Sequence, residues 1–159
     1  MIRSSRLLVL ALCLPVLTGT SRAVAGSPRP FHSRVVAVWD NVFAAFTPQG
    51  ANFTGIGQTT HMGRGAQAGT LFLFPEFGNP LIPGIGAVTI TAANGDSVSF
   101  DYVGTLNPFT GEGIGTFLFT GGTGRFAGAT GSGTFHALID ASVPVNQPMT
   151  VVLDGQIIY

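Results

Sequence analysis

The sequence predicts an all-β fold: one domain built as a single eight-stranded antiparallel β-barrel. Three observations predict it. From residue 34 onward no window of a dozen residues carries the 3.6-residue apolar period of a helix, and glycine, proline and threonine interrupt every stretch long enough for one. In its place stand about eight runs rich in β-branched and aromatic residues, set apart by turn residues. The links between runs are of hairpin length, and eight short strands in about 125 residues fit a closed barrel or a sandwich. Closure is favoured because it removes unpaired strand edges, which a chain with few charges has little means to protect.

Ahead of the barrel, Met1–Arg6 carries Arg3 and Arg6 and no acid. An apolar run, Leu7–Leu17, follows, broken only by Pro15, then Thr18–Arg22 and Ala23-Val24-Ala25. A basic start, a short apolar centre and an A-x-A end make a secretory signal. The run is shorter than the ~20 apolar residues of a membrane span. Cleavage is expected after Ala25. Residues 1–25 are then the signal peptide, 26–33 an extended lead-in and 34–159 the barrel domain, secreted or periplasmic. The single cysteine, Cys13, falls inside the signal, and Leu12 stands where lipid attachment needs a small residue. Removing 25 of 159 residues leaves 134 with no thiol, so no disulfide and no cysteine-bound metal are expected. A domain of this size holds together by burial alone, covering roughly two-thirds of its unfolded surface.

The formal net charge of +0 hides an asymmetry, because three of seven arginines lie in the signal. What remains is Arg29, Arg34, Arg64 and Arg125 against Asp40, Glu76, Asp96, Asp101, Glu112, Asp140 and Asp154, with no lysine. A mildly acidic domain without a basic patch is a poor partner for nucleic acid or an anionic membrane.

The expected strands run Arg34–Thr47, Phe53–Met62, Ala66–Phe74, Gly86–Ala92, Ser97–Gly104, Gly113–Thr120, Gly133–Asp140 and Met149–Ile158. The sharpest hairpin is Val88–Phe100, turning at Asn94-Gly95, where both residues tolerate the positive φ of a type I′ turn. Its second strand puts Val98, Phe100 and Tyr102 on one face and Ser97, Ser99 and Asp101 on the other. Glycines within strands, such as Gly55, Gly57, Gly113, Gly115, Gly131 and Gly133, are expected to serve bends and bulges.

Between the sixth and seventh strands lies Thr120-Gly-Gly-Thr-Gly-Arg-Phe-Ala-Gly-Ala-Thr-Gly-Ser-Gly-Thr-Phe135. Thr120–Gly128 nearly matches a dinucleotide-binding fingerprint, whose glycines let the backbone approach pyrophosphate at a helix N-terminus. The spacing is one residue too long, and Ala127–Gly133 holds three glycines where a helix must follow. The segment reads better as a tight loop. Gly121, Gly122 and Gly124 would supply positive φ, Arg125 would cap carbonyls or pair with a carboxylate, and Phe126 would plug the barrel end.

Gly121–Gly131 resembles the G-G-T-G-[KR]-F…G segment of dirigent proteins and allene oxide cyclase-like barrels. The resemblance implies a calycin-type eight-stranded barrel with a largely apolar cavity for a small hydrophobic molecule. It also implies candidate activities: guiding radical coupling, cyclising a fatty-acid epoxide, or promoting a cycloaddition.

Three function classes follow: an exported barrel that binds a small apolar ligand, an enzyme of the coupling-guide or cyclase type, and a structural or outer-membrane barrel. For the first, Phe100, Tyr102, Phe117, Phe119 and Phe135 are the candidate lining. For the second, Tyr102, Glu112, Glu76 and His61 are the candidate proton-transfer groups. A carboxyl facing a dry cavity would have a raised pKa suited to acid–base work. Glu76 and Glu112 sit in loop-like surroundings, and Tyr102 reads first as a core tyrosine. His32, His61 and His136 lack the local spacing of a zinc site, so no metal is expected, and no cofactor. Ser132 lacks the flanking glycines of a nucleophile elbow. Asn52-Phe-Thr54 is a glycosylation sequon. The terminal Tyr159 is reminiscent of outer-membrane barrels, but strands of seven or eight residues fall short of the ~10 needed to span, and one Trp with two Tyr makes no aromatic girdle. Self-association remains open.

Overall fold

The computed structural model describes residues 26–40, 49–140, 142–143 and 146–159. The expected signal, Met1–Ala25, and the second half of the expected first strand lie outside the described residues. The rest is all-β. Strands β1 (Arg29–Trp39), β2 (Gln49–Thr59), β3 (Gly63–Leu73), β4 (Ile82–Ala92), β5 (Ser97–Asn107), β6 (Glu112–Gly122), β7 (Thr130–Ile139) and β8 (Gln147–Ile158) pair in chain order, and β8 returns to β1. Every pairing is antiparallel, so the sheet closes as an up-and-down barrel without an edge.

Two boundaries differ from the sequence expectation. The lead-in is not separate: β1 starts at Arg29 and pairs with β8 from Arg29↔Ile157 to Trp39↔Gln147. Phe31 and Ser33 are therefore buried inside the barrel. The strands are also 10 to 12 residues long, not seven or eight. Residues taken as punctuation pair in the ladders instead, as Gly63↔Thr59, Gly50↔Phe72 and Gly84↔Gly104 show. Strand length therefore does not distinguish this barrel from one that spans a bilayer. The inward face is apolar, while the outward face mixes charges such as Arg34, Arg64, Asp101 and Asp154 with threonines and exposed apolar side chains, Val36, Ile56, Val103 and Leu118 among them. A transmembrane barrel surrounds a polar lumen, whereas the interior here is apolar.

Inward glycines have a different use from the expected bends. One large ring on each of four strands faces a glycine directly across the ladder: Phe53↔Gly69, Tyr102↔Gly86, Phe117↔Gly133 and Phe135↔Gly115. A Cβ at Gly69 or Gly133 would stand 2.5 Å from the Cζ of its partner ring. The rings lie flat against bare backbone, a cross-strand seat that only glycine leaves open. The described ladders show one register shift, at Ser99/Phe100.

One half of the barrel is filled. Phe31, Phe100, Phe117 and Phe119 form a cluster with centroid separations of 4.9 to 6.0 Å. This end is closed by the glycine-rich loop, which forms a short 3-10 turn, Gly124–Phe126, and leads straight into β7. Phe126 is completely buried and packs on the Tyr159 ring at 4.7 Å. Tyr159 in turn accepts a hydrogen bond from Arg29 Nη1 at 3.1 Å. Arg125 pairs with Asp96 through Nε–Oδ2 at 3.2 Å. Gly121 (φ 136°) and Gly124 (φ 59°) occupy the left-handed region. Gly122 does not, contrary to expectation. It pairs with Val98, and glycine is needed there because a Cβ would strike the Ser97 carbonyl oxygen.

Candidate functional site

The other half of the barrel contains a cavity, and its origin is legible in the ladders. Phe135, Gly115, Gly104, Gly84 and Leu73 form one continuous inward row across β7, β6, β5, β4 and β3. Three successive glycines leave no side chains to meet in the middle. Phe135 covers Gly115 and part of Gly104, and the space that remains is a cavity of about 80 Å³. Its wall is apolar, with Leu71, Leu73, Ile139, Met149 and Leu153 among its members. The cavity is well below the roughly 300–1,000 Å³ of ordinary small-molecule pockets.

Of the five aromatic residues expected to line a binding cavity, Phe100, Tyr102 and Phe135 do so. Phe117 and Phe119 belong to the filled half, where they pack on Phe31. The candidate proton-transfer groups are not brought together. Glu112 is on the outer surface, its Oε1 2.7 Å from His136 Nε2. Glu76 is exposed in the β3–β4 loop, where its backbone carbonyl accepts from Asn79. Neither reaches the cavity. His61 sits in the β2–β3 turn with φ 65°, its Nε2 2.9 Å from the Pro30 carbonyl oxygen. A second outward pair, His32 Nδ1 and Asp154 Oδ1, is 2.6 Å apart. Among the described residues no three His, Asp or Glu side chains converge as a metal site would require.

Tyr102 is the one candidate that faces the cavity. Its ring crosses Gly86, and its hydroxyl donates to the Thr70 carbonyl at 2.9 Å. Burial favours the neutral phenol and pushes its pKa well above the ordinary 10.0. This group neither donates a proton readily nor has a free donor to offer. The raised pKa also fixes a sign. The folded state keeps the proton that the unfolded state releases, so the contribution is fully present below pH 10 and lost as pH rises beyond it. Urea titrations between pH 8 and 11 should show stability falling more steeply in the parent than in Tyr102→Phe, which at neutral pH loses about 0.5–1.5 kcal/mol. Parallel pH profiles would contradict this assignment.

Sequence reasoning missed two cavity residues, Trp39 and Gln67. Each is almost completely buried, and Trp39 Nε1 and Gln67 Oε1 have no hydrogen-bond partner. Gln67 was hard to find because β3 alternates between small residues. Gly65, Gln67 and Gly69 point inward while Ala66 and Ala68 point out, so apolarity does not mark the phase. The usable signal was the single long polar side chain on the same parity as Leu71 and Leu73.

Among solved structures, the chain is similar to the pterocarpan synthase dirigent protein GePTS1, with a TM-score of 0.44 and 14% identity over 84% of each chain. This likeness is one of backbone path and assigns no residue a role. No family model matches the sequence, and no curated protein matches it.

Proposed function

We propose that this protein is an exported, water-soluble barrel that holds a small apolar molecule in its interior without transforming it. The observation that carries this reading is the apolar cavity left by the Gly84–Gly104–Gly115 row. Its size limits the guest to a few heavy atoms, or to the end of a longer molecule. Binding is favoured over turnover because the carboxylates and histidines of the described barrel face outward. The cavity's one ionisable side chain, Tyr102, spends its hydroxyl on Thr70. The apolar interior, together with the charges Arg34, Arg64, Asp101 and Asp154 set among the apolar side chains of the outer face, supports a soluble barrel over a lipid-embedded one.

Mass spectrometry of molecules co-purifying with the protein tests this reading, with Gly113→Val as the control. A Cβ at Gly113 meets nothing nearer than Ala137 Cβ at 3.4 Å, so the larger side chain enters the cavity. A ligand retained by the parent and lost from a still-folded Gly113→Val is the expected result. Equal retention by both proteins would place the ligand elsewhere.

A further inference from the structure

We infer that Trp39 and Gln67 are the polar anchor of the cavity, and that the molecule it takes is a small aliphatic alcohol whose hydroxyl bridges them. The inference deepens the ligand-holding reading and rests on it. Both residues line the cavity and are almost fully buried, Trp39 at 2% and Gln67 at 3% exposure. Trp39 Nε1 and Gln67 Oε1 lack partners. Buried indole N–H groups ordinarily find an acceptor. The indole nitrogen can only donate and the amide oxygen can only accept, so one group that satisfies both must accept and donate at once. A hydroxyl does this with a single oxygen. A carbonyl or ether serves only Trp39, and an ammonium serves only Gln67.

Both side chains line the same cavity, from strands two apart in the wall. Trp39 pairs with Phe53 and Phe53 with Gly69, two positions from Gln67 on β3. The backbones are two strands apart, about 10 Å across the wall, and both side chains are long. Size decides the rest of the ligand. An apolar cavity that takes benzene measures roughly 150 Å³, whereas this one is about 80 Å³. A slim alkyl chain can enter such a space end-on, its remainder reaching out of it, and Leu71, Leu73 and Met149 offer it apolar contact.

The chain has one tryptophan, so the indole N–H of Trp39 gives a single resonance to follow. Purified protein is titrated in parallel with 1-butanol, butanone and pentane. The expected result is a saturable shift with 1-butanol, at an affinity at least tenfold above the other two probes. Gln67→Met should abolish that preference. Equal binding of all three, or butanone matching 1-butanol, would overturn the alcohol anchor while leaving the ligand-holding reading in place. No saturable shift with any probe would overturn both. Should Gln67→Met not fold, the order of the three probes on the parent protein decides alone.

Discussion

Phe126→Ala is expected to cost about 3–5 kcal/mol of folding stability, the range for removing a fully buried phenylalanine. The ring is at 0% exposure and lies against Tyr159, whose hydroxyl is tied to Arg29 at the start of β1. Truncation therefore opens the closed end of the barrel at the seam where β8 meets β1. Little nearby can collapse into the gap, because the residues around it sit in closed ladders. Urea melts should show a lower midpoint with an unchanged slope, the signature of lost stability without lost compactness. Arg125→Ala is the matched control. Its pair with Asp96 is half exposed and worth less than about 1 kcal/mol. If the two variants cost the same, Phe126 does not act as a plug.

Gly86→Ala is expected to be nearly as damaging, at about 3 kcal/mol, although it adds a single methyl. The new Cβ would strike the Thr70 carbonyl oxygen and stand 2.5 Å from the Tyr102 hydroxyl. The carbonyl belongs to a strand of the closed barrel and yields only if the ladder shifts, and the ring must move as well. Swinging toward the cavity, Tyr102 loses its bond to Thr70 and leaves a buried hydroxyl unpaired. Overpacking and an orphaned polar group each cost about 1–3 kcal/mol. Two comparisons isolate the cause. Gly113→Ala, whose Cβ makes only ordinary contacts, should be close to neutral in the same thermal melts. In a Gly86→Ala background, Tyr102→Ala should cost far less than it does alone, because the displaced ring has already lost its bond to Thr70 and its removal relieves the clash with the new Cβ. Additive effects in that cycle would refute the ring-over-glycine geometry.

Much of the barrel was legible residue by residue. Val98, Phe100 and Tyr102 alternate with Ser97, Ser99 and Asp101, and the two sets face inward and outward as that period dictates. Asn94-Gly95 marks its hairpin, but not as the expected type I′ turn: only Gly95 has positive φ (88°), and the Gly95 N–H to Ala92 carbonyl bond closes a three-residue loop with glycine in the left-handed position. Strand ends were misread for one reason. Glycine is scored locally as a breaker, but in a closed barrel the partner strand supplies the ladder bonds and the facing ring supplies the contact. The same effect hid Arg29–Ser33, whose Pro30 argues against a strand until β8 is there to pair with it.

The candidate site divides along the same line. Aromatic residues on inward positions could be named from period alone, which placed Phe100, Tyr102 and Phe135 at the cavity. Glu76 and Glu112 read as loop carboxylates, and both are exposed, although Glu112 opens β6 and does not lie in a loop, because strand phase and loop path are set by the partner strands. Trp39 and Gln67 acquire meaning only through each other and through the absence of other partners. Composition and period were thus enough to specify an all-β chain of eight antiparallel strands, since alternation and turn chemistry act over a few residues. Only the tertiary structure decided where the barrel is filled and where it is hollow. That depends on which glycines meet across neighbouring strands, and register brings together residues far apart in the chain.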